Sequence, residues 1–173
     1  PDDAAASPWR WPLVALALVM LLPGRTWWHV EVDEPPFFRD GRWQSSIRRD
    51  ETVLVMPFGF IGNGMLWQAR TGFAFKMAGG YAASVIPDPY QYPIVIAFYG
   101  TWLPPDPDHE LRRFLRDKGV TAIVMADWTT GPWKGLFDRL ARPVHRDGVW
   151  VYRLPQPIPE LSTADLAAAL PAP

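Results

Sequence analysis

The sequence predicts an α/β fold: a small, open, mostly parallel sheet flanked by helices, with a C-terminal hairpin and a preceding membrane-type apolar helix. Two continuous apolar runs, 52–58 and 120–126, are rich in β-branched residues, as strands buried on both faces require. Helix-like segments follow each run, and Asp147-Gly148 is a hairpin turn signal. The order strand, helix, strand, helix, hairpin is typical of an open sheet with helices on its faces.

The composition limits the classes of protein to which the chain can belong. Of its 173 residues, 49 % are hydrophobic, which is enough for the core of one domain. The formal net charge is −1, and this argues against a general nucleic-acid partner because neutralising phosphates needs a surplus of basic residues. The absence of cysteine excludes disulfides, thiolate zinc sites and a cysteine nucleophile.

The first predicted element is an apolar helix over residues 8–26, which we interpret as a last transmembrane helix. The run 11–23 holds no charged residue, and tryptophans flank it as in the aromatic belts of membrane interfaces. These tryptophans are Trp9, Trp11, Trp27 and Trp28. Residues 23–28 are a poor cleavage site, which disfavours a signal peptide, while a buried core helix remains an alternative.

Residues 29–154 are predicted to form the α/β domain, and its first half is rich in turn signals. The predicted elements are an edge strand near Val30 and Val32, a strand at 52–58, a helix at 65–71 and a short strand at 73–77. The proline-rich stretch 84–107 is predicted to be a long surface loop whose apolar run 94–98 docks in part on the domain.

The second half of the domain has the clearest periodicity. A helix begins at Asp108 as its N-cap and ends at Gly119, with Leu111 on the inner face and Arg112 on the outer face. A strand at 120–126, a helix at 131–141 and a hairpin at 144–154 follow. Residues 155–173, rich in proline and alanine, are predicted to be a loosely held tail.

A glycine cluster lies between the first strand and the next helix. Gly59, Gly62 and Gly64 lie where backbone N–H groups at a helix N-terminus bind phosphate in other α/β proteins. Their spacing matches neither the dinucleotide fingerprint nor the P-loop, so a plain turn is the alternative.

The segment 67–81 is the most unusual part of the sequence. It combines aromatic rings, an amide and two cationic side chains, which suit a sugar or a lipid headgroup. The predicted ligand-binding residues are Trp67, Gln68, Arg70, Lys76 and Tyr81. The alternative is that these aromatic rings belong to the core.

Neither a metal site nor a cofactor is predicted. The three histidines, His29, His109 and His145, lie in separate segments, without the short ligand spacing that is typical of zinc or iron sites. No G-x-S-x-G elbow is present, so serine-hydrolase chemistry has no support.

Several motifs together resemble a known family. The order Pro-Phe-Phe…Gly-Arg-Trp (36–43), Thr-Val-Leu-Val-Met-Pro (52–57) and Met-Leu-Trp-Gln-Ala…Gly-Gly-Tyr (65–81) is similar to the C-terminal extracytoplasmic part of polytopic bacterial membrane proteins of the type C glycosyltransferase-like group. The segments 111–125 and 148–155 also fit that pattern. The resemblance covers roughly residues 8–155.

The resemblance implies a role outside the cytoplasm. Members of the group resemble enzymes that move a sugar from a polyprenyl-phosphate donor to an acceptor, with the catalytic acid in an early loop that has no counterpart in this chain. We therefore expect no catalytic residue here. The expected location is the bacterial cytoplasmic membrane, with a non-catalytic domain on the extracytoplasmic side that binds a lipid-linked sugar, a glycan acceptor or a partner.

Two other functions remain open from the sequence. One is a self-contained phosphate- or nucleotide-binding domain that uses the loop 59–64. The other is a purely structural interaction module, for which we expect an exposed apolar patch at Trp27, Trp28, Phe37 and Phe38.

Overall fold

The computed structural model describes residues 9–21, 34–59, 62–79, 92–100, 102–129 and 131–159. The chain forms two compact units, Pro1–Val32 and Asp33–Pro173. The edge strand predicted near Val30 and Val32 lies outside the described residues.

The first unit contains helix α1 (Arg10–Leu21), which covers the middle of the helix predicted at 8–26. Its side chains from Trp11 to Leu21 are exposed. At about 1.5 Å per residue, its 12 residues span about 18 Å. Among the described residues, no helix has the length and apolar content needed to cross a bilayer.

The second unit is built on a five-stranded sheet with the order β2-β1-β3-β5-β4. The strands are β1 (Thr52–Met56), β2 (Lys76–Met77), β3 (Val120–Ala126), β4 (Pro143–Arg146) and β5 (Val149–Arg153). Strand β1 pairs in parallel with β2 and β3, whereas β5 pairs antiparallel with β3 and β4. The sheet is therefore mixed rather than mostly parallel, because the C-terminal hairpin joins its open edge at β3.

Helices cover both faces of this sheet, which confirms the α/β class. They are α2 (Gly64–Arg70), α3 (Pro93–Phe98), α4 (Pro107–Asp117) and α5 (Trp133–Asp138). Alternate side chains of each buried strand enter opposite cores. Leu54 of β1 packs with α3, α4 and α5, whereas Val53 and Val55 pack with Trp67 of α2 and with the short 3₁₀ turns Pro36–Phe38 and Arg42–Ser45.

Helix α3 corrects the prediction of a surface loop over 84–107. Pro93 occupies the first turn, where its missing N–H costs nothing, and Ile94 and Phe98 are buried. The density of prolines around this short apolar run hid the helix in the sequence. Residues 80–91 and residue 101 lie outside the described part.

Helix α4 confirms the predicted amphipathic pattern but begins earlier than expected. Pro107 is the first residue of the helix, so the N-cap is Asp106. The Asp106 carboxylate accepts a hydrogen bond from the His109 backbone N–H at 3.3 Å. Arg112, predicted on the outer face, is only 9 % exposed, and its Nη1 donates to the carbonyl of Pro159 at 2.9 Å. Because Ile158 is also buried, the first residues of the predicted tail pack on the domain.

Candidate functional site

The predicted ligand-binding tryptophan lies in the core. Trp67 is fully buried, its ring stacks on Phe38 with centroids 5.0 Å apart, and Trp128 meets it edge-on at 5.8 Å. A ring without an exposed face has no room to stack on a sugar. Trp67 therefore does not serve as the expected ligand platform. Instead, its ring packs α2 onto the sheet.

The other predicted ligand-binding residues are distributed differently from what we expected. Gln68 Nε2 donates to the carbonyl of Phe75 at 2.7 Å and so holds the turn that leads into β2. Arg70 Nε lies 3.4 Å from Glu34 Oε1 in an ion pair. Lys76 is exposed on β2, and Tyr81 lies outside the described residues.

The glycine cluster has a packing explanation in its described part. A Cβ at Gly62 would lie 2.8 Å from Pro57 Cβ, and one at Gly64 would lie 3.0 Å from Met77 Cε. Gly59 has a φ of 60°, and a Cβ there would lie 2.6 Å from Tyr99 Oη. These contacts explain the glycines without a bound phosphate. Residues 60 and 61 of the loop lie outside the described part.

The apolar patch expected for an interaction module does not include its two phenylalanines. Phe37 and Phe38 are buried at 0 % and 1 % exposure, and their rings meet edge to face with centroids 5.0 Å apart. They belong to the core beneath the sheet, because the 3₁₀ turn Pro36–Phe38 points both rings inward. Trp27 and Trp28 lie outside the described residues.

A concentration of arginines marks a different site, which we call the arginine groove. It has a volume of about 400 Å³ and no acidic residue in its lining. The lining residues are Gln44, Ser45, Ser46, Ile47, Arg48, Arg142, Val144, Arg146, Val151 and Arg153. The groove therefore concentrates positive charge in a chain whose net charge is −1.

Strand geometry places these arginines on one face of the hairpin. Val144 and Arg146 alternate along the edge strand β4, so their side chains point to the same side, and Arg142, directly before the strand, lines the same groove. Val144 is paired with Val151 of β5, which belongs to the core on that side of the sheet. Arg142 and the partly buried Arg146 thus lie on the same side of the sheet as this core, beside the segment 44–48.

Two of the arginines are held in place by hydrogen bonds across the groove. Arg146 Nη1 donates to Ser45 Oγ at 2.6 Å. Arg153 Nη1 donates to the carbonyl of Ser46 at 3.1 Å. These bonds fix two guanidinium groups before any ligand arrives, which lowers the entropic cost of binding.

The guanidinium groups of the remaining two arginines are unpaired among the described residues. Within the part of the chain that the structure describes, the side chains of Arg48 and Arg142 have no hydrogen-bond or ion-pair partner, although both line the groove. A guanidinium group matches carboxylate and phosphate by paired hydrogen bonds. The arrangement is therefore suited to binding an anion.

Glu51 does not line the groove but binds two residues that do, Arg48 and Arg153. Its carboxylate accepts hydrogen bonds from the Arg48 backbone N–H at 2.6 Å, from Thr121 Oγ1 at 2.8 Å and from Arg153 Nη1 at 2.6 Å. Burial acts to raise the pKa of Glu51, but these hydrogen bonds outweigh burial and hold the pKa below its ordinary value. Glu51 thus stays ionised and holds Arg153 in position.

Little in the sequence indicates this groove. Ser45 and Arg146 are 101 positions apart, and no local pattern predicts that the segment after a 3₁₀ turn crosses beside the hairpin. The usable signal is the two-residue spacing of Arg142, Val144 and Arg146 at the start of the predicted hairpin. Alternation alone does not distinguish a binding face from a solvated one.

Comparison with known proteins gives no further guidance. No protein-family model, curated protein or solved structure matches the chain. The case for a function therefore rests on the geometry of the groove and on the resemblance described above.

Proposed function

We propose that the second unit is a non-catalytic binding domain whose arginine groove takes an anionic group, phosphate or carboxylate, of a larger ligand. The observation that supports this most directly is the lining of the groove, which contains Arg48, Arg142, Arg146 and Arg153 and no acidic side chain. Arg153 is paired with Glu51, whereas the other three arginines have no acidic partner among the described residues. Keeping these like charges close together costs stability, and a bound anion would relieve their repulsion.

The wider setting of this proposal is the extracytoplasmic face of a bacterial membrane. In it, the domain belongs to a glycosyltransferase-like membrane protein, and the ligand is a polyprenyl-phosphate-linked sugar or the glycan acceptor. The resemblance over residues 8–155 supports this setting. So does α1, whose exposed apolar side chains are unusual in contact with water.

The groove is tested by removing a free arginine. Arg142→Ala is expected to weaken binding of inorganic pyrophosphate by the full chain about tenfold, because a hydrogen-bonded charge contact is lost. Titration calorimetry at low ionic strength measures the affinity, and a thermal melt checks that the variant is folded.

The matched control is Arg113→Ala. Arg113 is about half exposed on α4, which packs on the opposite face of the sheet, so this variant removes the same charge away from the groove. Equal losses in the two variants would mean that pyrophosphate responds only to overall charge. That result, or no measurable binding to the wild type, would refute the proposal.

A further inference from the structure

A second cleft adjoins the arginine groove at the amino edge of the sheet, and we call it the amino-edge cleft. Its volume is about 510 Å³. Its lining residues are Arg48, Arg49, Asp50, Glu51, Thr121, Arg153, Leu154 and Gln156. Arg48 and Arg153 line both cavities, so the two form one continuous surface.

The two cavities differ in charge. The amino-edge cleft has two acids among its lining residues, Asp50 and Glu51, beside three arginines. Glu51 forms an ion pair of 2.6 Å with Arg153. No acid lines the groove, where Glu51 forms an ion pair only with the shared Arg153, so the groove holds the larger excess of positive charge. An anion in the cleft would lie near the carboxylate of Asp50, so the cleft is better suited to an uncharged polar group than to a second phosphate or carboxylate.

The polar groups of the cleft are those that sugar hydroxyls bind. Asp50 is exposed, its side chain has no partner among the described residues, and its backbone N–H is bound to the carbonyl of Ala74 at 2.8 Å. A carboxylate accepts from hydroxyls, Arg49 donates to them, and Gln156 does both. Gln156 is oriented by the hydrogen bond from its Nε2 to the carbonyl of Val120 at 3.1 Å.

From this difference we propose that the ligand is an acidic saccharide of at least two units. Its acidic group binds in the arginine groove, and a neutral ring next to it binds in the amino-edge cleft. This inference rests on the proposed function and narrows it to one chemical class, a glycan with a negatively charged unit beside an uncharged one.

The test compares ligands that carry the same charge but differ in length. Titration calorimetry with the full chain would measure glucuronate, an aldobiouronate in which glucuronate is linked to a neutral hexose, and the neutral disaccharide cellobiose. We expect the aldobiouronate to bind about tenfold more tightly than glucuronate, since the added ring brings several hydrogen bonds. Cellobiose, which has no acid, is expected to bind more weakly than either.

A substitution in the cleft tests the added ring directly. Asp50 has a φ of 64°, a backbone conformation that asparagine tolerates well, so Asp50→Asn is expected to fold. It should reduce the affinity for the aldobiouronate about fivefold and leave that for glucuronate no weaker. Asp40→Asn is the matched control, since Asp40 has a φ of 54° and lines neither cavity.

The outcomes separate this inference from the proposed function. Equal affinities for glucuronate and the aldobiouronate would overturn the inference, as would tighter binding of both by Asp50→Asn, because charge alone would then explain the effect. If Arg142→Ala still weakened glucuronate binding, the arginine groove would stand without the second ring. If it did not, both proposals would fall.

Discussion

Glu51 connects parts of the domain that are far apart in the sequence. It follows the segment that forms one wall of the arginine groove, and its carboxylate binds Thr121 of β3 and Arg153 of β5. Its side chain is only 7 % exposed, so removing the charge leaves Arg153 without its compensating partner. A single carboxylate therefore fixes both the start of β1 and the shape of the groove wall.

This role predicts a dependence of stability on pH. Because folding lowers the pKa of Glu51 from 4.5, its contribution is complete above pH 4.5 and disappears as the pH falls through the lower pKa of the folded state. Glu51→Gln is expected to lower the free energy of unfolding by about 1–2 kcal/mol at pH 7. Urea unfolding of both proteins from pH 7 to pH 3 measures this difference.

The gap between the two proteins should narrow below pH 4.5. A gap that stayed constant down to pH 3 would show that the charge of Glu51 is not what stabilises the fold. Asp40→Asn is a suitable control here as well, since no hydrogen bond or ion pair of the Asp40 side chain is seen among the described residues.

At the scale of elements, the connection from β1 to α2 depends on close packing at glycine. Gly59 and Gly72 have similar left-handed φ values of 60° and 66°. A Cβ at Gly59 would contact Tyr99, whereas a Cβ at Gly72 would have nothing within 4 Å. The two positions thus share a backbone cost and differ in packing.

This pair separates the two costs in one experiment. Gly72→Ala is expected to lower the free energy of unfolding by about 1–2 kcal/mol, the cost of a left-handed L-residue. Gly59→Ala should lower it further, because Tyr99 must move, and Tyr99→Ala should remove the excess. Chemical denaturation of the three single variants and the Gly59/Tyr99 double variant measures this. Equal losses at Gly59 and Gly72 would contradict the packing explanation.

The elements were predicted from sequence where the signal is local. Strands β1 and β3, helix α4 and the hairpin turn at Asp147 follow from patterns within a dozen residues. Helix α3 is not predictable in this way, because its six residues span fewer than two helical turns and prolines surround them. The burial of Trp67 was open from the sequence, because the same aromatic residue suits a core and a ligand platform.

The candidate site was not predictable in the same way. Its walls come from residues 44–48 and from the hairpin, and only the fold brings them together. The sequence predicts the α/β class of the sheet but not how its strands pair. The antiparallel pairing of β5 with β3 depends on which edge of the sheet is open, and this is a property of the whole fold. Local patterns determine elements, whereas sites and edges depend on how the elements meet.

At the scale of the whole molecule, each unit has a notable surface among its described residues. The net charge is −1, yet the arginines of the groove cluster on one face of the second unit. The first unit contains α1, where Leu16 and Leu18 are 53 % and 60 % exposed. The proposed membrane setting assigns these two surfaces to a ligand and to lipid.

The membrane part of the proposal has its own test. The full chain is expected to float with phosphatidylcholine vesicles in a density gradient, because apolar side chains of α1 insert among the lipids. Replacing both Leu16 and Leu18 by Glu should lower the vesicle–water partition coefficient at least about hundredfold, because burying charged side chains in lipid is costly.

A control variant tests whether any exposed apolar residue has the same effect. Phe73→Glu changes a side chain that is 67 % exposed in the second unit, and it should leave flotation unchanged. Zwitterionic vesicles are used so that the arginines gain nothing from anionic lipid. Unchanged flotation of the Leu16/Leu18 variant would refute membrane binding through α1 without affecting the groove.

The two edge strands of the sheet that the described residues form have a consequence for how the protein behaves at high concentration. On one side, β2 has only two residues, and its Lys76 is exposed. On the other, β4 opens with Pro143, which has no N–H to donate, and the strand ends at Arg146. Short, charged or proline-containing edges offer a poor template for strand pairing between molecules. We therefore expect the folded domain to resist edge-to-edge aggregation with its own copies.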